Sequence, residues 1–577
     1  LALLAGLFLL WPGRQAEVLP KENDESKAQL RRPVSMALAD KFATLYVANR
    51  SAGTISTIDL ANRRVVSERP VGKKLGELCL TSDEKHLLVV DEEDGQLIEL
   101  QRTGTELKVA GRATVPTAPV SVKVSADGRY WIVASLWARK LTIFDSKQDK
   151  PLAASKMIDL PFAPRAQLAV ANTDKMVVVD AFGGNLAVVD VVRGVVDSVR
   201  KIPGHQIRGL AWSSDGSQLL VTHQILRANV HSSHPDIHWG NLMANQLRSL
   251  ARTDLLNPGA DLLANSRLTG LGDPDHGTGD PAGVAVTADG IRIVALGGVT
   301  EVAIGNEKKG SWSYVEVGQH PTAVVTDGKR AFVANTFSDT ITVIDLAQKA
   351  KVGEIVLGKQ RPLSAAERGE VLFFDAGKSL EGWLSCNSCH VDGHTNGMLN
   401  DNLSDDTFGT PKRVLTVLGV KDTAPWAWNG GVKDLKEQIR KSLVLTMRGP
   451  KPKEEELLDL EAYLRTLPPP PPLQPETPAN REPIQRGQQL FAKLGCANCH
   501  IPPLYTSPKT YDVGLADEQD NREYNPPSLR GVSQGGPYFH DNRAASLEAV
   551  FSVHRHQIKQ ELTKTELAEL LVFLRSL

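Results

Sequence analysis

Two pentapeptides carry the chemistry of this chain: Cys386-Asn387-Ser388-Cys389-His390 and Cys496-Ala497-Asn498-Cys499-His500. Two cysteines three apart sit on one face of a helical turn, where their sulfurs reach the two vinyl groups of a haem and form thioethers; the adjoining histidine meets the iron from one side. Iron held by protein ligands performs electron transfer or redox catalysis. A zinc knuckle is the competing reading, but zinc sites close on four ligands, usually from Cys-x-x-Cys elements that converge. Here each pair carries its own histidine, for which a redox dithiol has no use. The sequence therefore predicts two covalently bound haem c groups, attached at Cys386, Cys389, Cys496 and Cys499, with His390 and His500 as iron ligands. The fifth cysteine, Cys79, lies in the apolar run Leu78-Cys79-Leu80 and reads as a buried, inert thiol.

Length and charge bound the rest. At 577 residues the chain holds three or four domains, and a net charge of −1 without basic or acidic blocks argues against nucleic acid and anionic membrane surfaces. Residues 1–31 read as a truncated signal or anchor and a polar lead-in: Leu1 to Trp11 resembles the apolar core of a secretory signal. It is too short to span a bilayer, though residues upstream would lengthen it, so an N-terminal membrane anchor stays open. Haem attachment to Cys-x-x-Cys-His is performed outside the cytoplasmic membrane, so the protein is expected to be exported, in the periplasm or its equivalent.

The elements in front of the haem motifs repeat. Apolar strands such as Leu45-Tyr46-Val47-Ala48-Asn49 and Thr54 to Leu60 return as Ala331 to Asn335 and Thr340 to Leu346. A turn aspartate recurs at Asp40, Asp83, Asp127, Asp174, Asp215, Asp289 and Asp327, spaced 43, 44, 47, 41, 74 and 38 residues apart. Four-stranded blades of about 40–45 residues fit all but one spacing, so residues 32–358 are predicted to form an all-β, seven-bladed propeller. These stretches resemble the YVTN (lactonase-like) repeat family, a likeness of fold that says little about chemistry. The long spacing holds an insertion with His231, His234, His238 and Trp239, preceded by His223. A metal site is one reading of these histidines, but their spacing fits no standard motif; solvated loop histidines are the commoner case, and contact with a haem domain or a partner is the better functional reading.

After Gly358 the pattern turns helical and duplicates. Ser364 with Glu367 forms a capping box; Arg368-Gly369 precedes the first haem motif as Arg486-Gly487 precedes the second. Cys386 to Cys496 and Leu467 to Leu577 are both 110 residues apart. Two mainly α-helical cytochrome c domains are predicted, at 359–467 and 484–577, joined by a stiff proline-rich linker at 468–483. Arg413 and Arg530 are candidates to pair with haem propionates, since a guanidinium suits bidentate recognition of carboxylates.

Region 360–577 resembles the bacterial di-haem cytochrome c peroxidase/MauG family. The second copy carries Pro526-Pro527-Ser528-Leu529-Arg530-Gly531-Val532, then Pro537-Tyr538-Phe539-His540-Asp541, then Ser546-Leu547-Glu548. The resemblance implies that the C-terminal haem transfers electrons and that its second ligand falls fourteen residues after His540, at His554, with His556 as runner-up. It implies a tryptophan between the haems at Trp428 and an iron-facing glutamine at Gln438; the family's catalytic glutamate position is Arg448, which cannot carry a proton. The family's loop histidine falls near Asp406 and is absent. Three states of the first iron stay open: ligation by Met447, an open position, or ligation by His394. Calcium between the two units is a family trait. The resemblance implies a di-haem oxidoreductase whose propeller docks a substrate or a redox partner, a small cytochrome or cupredoxin. Its alternatives are a peroxide reductase or MauG-like oxidant, and a propeller-based binding or sensor protein with the haems as an electron wire.

Overall fold

The computed structural model describes residues 28–147, 152–307, 309–403 and 406–577; the leader expected over residues 1–27 lies outside the described residues. Seven four-stranded antiparallel meanders follow in sequence order, from Pro33–Ala39 to Ala350–Val356. The alternating apolar strands make this architecture: the second and third strands of most blades are buried along nearly their whole length, as in Thr44–Asn49 and Thr340–Asp345. Neighbouring blades share one core between them, and blade one closes the ring against blade seven through Met36, Leu45 and Val47 on Phe332, Ile341 and Ile355. Each blade takes all four strands from one stretch of chain, so closure relies on packing and on Asp339, whose carboxylate accepts from the Arg31 and Arg32 amides at 2.9 and 2.7 Å.

Nine α-helices lie among the described residues. The fifth blade's insertion holds α1 (His234–His238), and α2 (Arg252–Leu256) follows its third strand. The first haem unit contains α3 (Ala365–Phe373), α4 (Cys386–Cys389), α5 (Leu435–Lys441) and α6 (Glu454–Thr466); the second contains α7 (Arg481–Lys493), α8 (Leu547–Ser552) and α9 (Lys564–Arg575). The expected Ser364–Glu367 capping box opens α3. The duplication is visible in packing. α3 crosses α6 at Gly369, where a Cβ would overlap the Asp459 carbonyl, and α7 crosses α9 at Gly487, where it would overlap that of Glu569. Beside each glycine an arginine clamps the partner helix: Arg368 on Asp459 at 2.7 Å and Arg486 on Glu569 at 2.5 Å. Among the described residues no helix is long and apolar enough to cross a membrane.

The first haem unit sits on one mouth of the propeller. Leu226, Ile237, Leu242 and Met243 of the insertion join Phe373, Trp383, Leu443 and Leu460 in a single core. Val391, next to the first haem histidine, is fully buried among Val120, Leu136, Ala163 and Phe182 of blades three and four.

Candidate haem centres

The first attachment turn is short and doubly anchored. The Ser385 and Ser388 hydroxyls close a capping box around α4, leaving His390 at its end. His390 donates from Nδ1 to the Leu415 carbonyl at 2.8 Å, which fixes the tautomer and leaves Nε2 as a lone pair for a metal. Burial pushes His390 down to about 4 and both thiols up to about 12. This neutral imidazole and the two sulfurs border a cavity of about 780 Å³, a size suited to a cofactor.

The cavity's other walls fit haem. Met447, 4 % exposed, lines it together with Gln438, whose Oε1 is buried without a hydrogen-bond partner. Arg413 and Arg530 line it too, each with a buried, unpartnered Nε, and burial pushes Arg413 down to about 10. Two guanidiniums facing a cavity with donors unspent are the arrangement that carboxylate substituents on a ring would satisfy. Trp428 also lines it and donates to the Arg413 carbonyl at 2.8 Å. Its ring meets Tyr524 and His540 of the second unit edge-on at 6.4 and 6.3 Å, and those two rings stack at 4.4 Å. An aromatic bridge thus joins the units where the family register predicts the tryptophan.

Two candidates lie elsewhere. Arg448 has turned out of the cavity and donates from Nε to the Ser232 carbonyl of the propeller insertion at 2.8 Å. His394 is buried in the propeller seam: it packs edge-on against Phe182 and Trp137 at 4.7 and 5.5 Å, with Nε2 3.3 Å from the Gln534 carbonyl and Nδ1 3.1 Å from Thr416 Oγ1. Both nitrogens are engaged and the ring does not line the cavity.

The propeller contributes residues to this centre that no motif announced. Asp280, buried at the mouth of blade six, accepts from the Ser385 and Ser388 hydroxyls, the latter at 2.6 Å, and from Gln206 at 3.2 Å; burial raises its carboxyl above the usual range. His205 donates to the Ser388 carbonyl at 2.8 Å. Asp392 reaches into the channel mouth and pairs with Arg208 through two bonds of 2.9 and 3.1 Å and with Arg165 at 3.3 Å. Burial pushes the Asp392 carboxyl up, but Arg165 and Arg208 outweigh it and hold it well below the usual carboxylate range. Asp392 meets Arg208 across 184 residues of sequence, so no local pattern marks it.

In the second centre His500 donates from Nδ1 to the Tyr505 carbonyl at 3.0 Å, repeating the tautomer of His390. On the distal side the two sequence candidates have different surroundings. His554 spends Nε2 on the Arg543 carbonyl at 3.0 Å. His556 is the ring that feels His500: burial first, then the charge of His500, push it down to about 4. It lies 56 residues after His500, matching Met447 at 57 after His390, where His554 lies at 54. Both rings border a smaller cavity of about 280 Å³ beneath Phe539.

Residues 364–467 match the family model described as di-haem cytochrome c peroxidase. The region after the propeller is thus similar to di-haem cytochrome c peroxidases and MauG proteins. Cytochrome c551 peroxidase of Nitrosomonas europaea is 27% identical over 266 residues, 37% of this chain and 79% of the relative. Methylamine utilization protein MauG of Methylorubrum extorquens is 26% identical over 247 residues, 33% of this chain and 67% of the relative. A solved chain of Kuenenia stuttgartiensis hydrazine synthase superposes with a TM-score of 0.50 at 20% identity, over 55% of this chain and 97% of that one, a likeness of fold. These likenesses, at low identity, support a haem-dependent oxidoreductase.

Proposed function

We propose that this protein is an exported di-haem c-type cytochrome that moves electrons between two covalently held haems. Cys386, Cys389, Cys496 and Cys499 would form the thioethers, and His390 and His500 would bind the irons, joined by Met447 at the first centre and His556 at the second. The haems supply reversible one-electron chemistry. The chain's residues hold each imidazole in its Nδ1–H tautomer, keep water from the first centre, and set Trp428, Tyr524 and His540 between the two. One observation carries the reading: Met447 and His390 line the same cavity while Arg448, at the family's glutamate position, points away to Ser232. A thioether ligand favours a higher potential than two imidazoles, so electrons would run from the second centre to the first. Export follows from where this haem attachment takes place. The propeller's mouth is filled by the first unit, so a redox partner, a small cytochrome or cupredoxin, approaches the second, beside the exposed Ile501 and Val553.

A second reading, peroxide reduction at the first iron, rests on Gln438, whose unpartnered Oε1 faces the cavity. Visible and EPR spectra of the oxidised and reduced protein, before and after peroxide, separate the two. Two low-spin ferric signals unmoved by peroxide are expected; a high-spin ferric signal that vanishes on peroxide addition would overturn the proposal in favour of the second reading.

A further inference from the structure

The seam between the propeller and the first haem unit holds a second group of ligand-type side chains, apart from both haem cavities. His238 ends α1 in the fifth blade's insertion, Asp275 lies on the loop leading to blade six, and Glu381 belongs to the first haem unit. His238 Nδ1 is 2.9 and 3.0 Å from the two Glu381 oxygens and 3.9 Å from Asp275 Oδ1, and one ligand atom from each residue lies within 4.8 Å of the others. Four-coordinate zinc with ligands at about 2.0–2.2 Å sets its donors about 3.3–3.5 Å apart, the middle of this range.

A plain surface ion pair is the simpler reading, and such pairs contribute about 0–1 kcal/mol. It accounts for His238 and Glu381; the Asp275 amide donates to Glu381 at 3.1 Å and brings a second carboxylate beside the same imidazole, its oxygen 3.9 Å from His238 Nδ1. The donor set is also selective. Calcium and magnesium take oxygen ligands alone, whereas an imidazole with two carboxylates suits first-row divalent ions. His234 offers a further imidazole beside this group, outside the 4.8 Å cluster. It sits four residues before His238, the spacing that puts two histidines on one helix face in zinc-binding helices. The two rings lie 6.4 Å apart and near parallel, and the charge of His234 already acts on Glu381.

We propose that His238, Asp275 and Glu381, with His234 as fourth ligand, bind a first-row divalent cation, zinc first among them, that fastens the blade-five insertion to the first haem unit. The bound ion neutralises the two carboxylates and joins three chain segments that otherwise meet through packing and single hydrogen bonds.

The test is calorimetric titration of zinc chloride into the haem-loaded protein after dialysis against a chelator, with zinc-edge X-ray absorption on the loaded sample. One zinc per chain is expected, with only nitrogen and oxygen in its first shell. His238→Asn and Glu381→Gln should each weaken binding at least tenfold. His231→Asn, whose ring pairs with Asp401 at 3.1 Å instead, should leave it unchanged. No stoichiometric zinc in the wild type, wild-type affinity in His238→Asn, or sulfur in the first shell would each overturn the assignment. The absorption spectrum needs no variant and stands even where a substitution impairs folding.

Discussion

Asp392→Asn removes the charge that pins the first haem-attachment turn into the propeller while keeping the side chain's shape. In the wild type the carboxylate faces Arg208 at 2.9 and 3.1 Å and Arg165 at 3.3 Å, with its side chain 28% exposed. At an effective dielectric of about 20 a pair at this range attracts by about 5 kcal/mol, much of it offset by desolvation. Breaking a buried pair from one side costs about 3–5 kcal/mol, and partial exposure places this case near the lower end. Opening of the seat should therefore become about a hundredfold more frequent. A global unfolding midpoint is a poor readout for one interface in a multidomain chain; native-state amide exchange over residues 386–397 reads it directly. The pH dependence has a definite sign. The folded carboxyl is held below its unfolded value of about 4, so its stabilisation is complete above that pH and lost as the pH falls further. Wild type and Asp392→Asn should differ from pH 5 to 8 and converge only in acid. Exchange within threefold of wild type at pH 7, with the variant folded, would refute the claim that this ion pair seats the haem unit.

Other substitutions divide the remaining assignments. His556→Ala should turn the second haem high-spin in ferric EPR while His554→Ala leaves it low-spin; the opposite pattern restores the sequence register. Met447→Ala should open the first iron and let peroxide or cyanide shift its Soret band, which no change would contradict. Gly487→Ala should destabilise the second unit by about 1–3 kcal/mol, because the α7–α9 crossing has no room for a methyl group; chemical denaturation followed at the second haem measures it. Glu367, drawn down to about 2 first by its hydrogen bond to Arg361, should release the N-terminus of α3 between pH 4.5 and 2; Glu367→Gln should abolish that step in amide exchange.

Whatever depends on a short stretch of chain was legible without coordinates. Two haem motifs, seven blades counted from turn aspartates and a duplication with one glycine at each helix crossing are all written in local spacing. Trp428 and Gln438 reached the cavity as the register required, and Arg413 and Arg530 brought their guanidiniums to it. The distal ligands were less legible. A count of residues cannot say which of two histidines two apart, His554 or His556, turns inward, because that depends on which ring finds another hydrogen bond. Arg448, assigned by the family register to the glutamate position, takes its direction from Ser232, 216 residues earlier.

The sequence by itself carried the haem assignment, since the Cys-x-x-Cys-His motif lies within about one turn of chain. Tertiary structure alone decided how the two centres differ. The first is sunk in a propeller mouth, held by Asp280, His205, Arg165 and Arg208; the second faces outward. Those four residues carry no local signal because a buried charge needs its partner only in space, and the chain supplies that partner from a blade more than a hundred residues away.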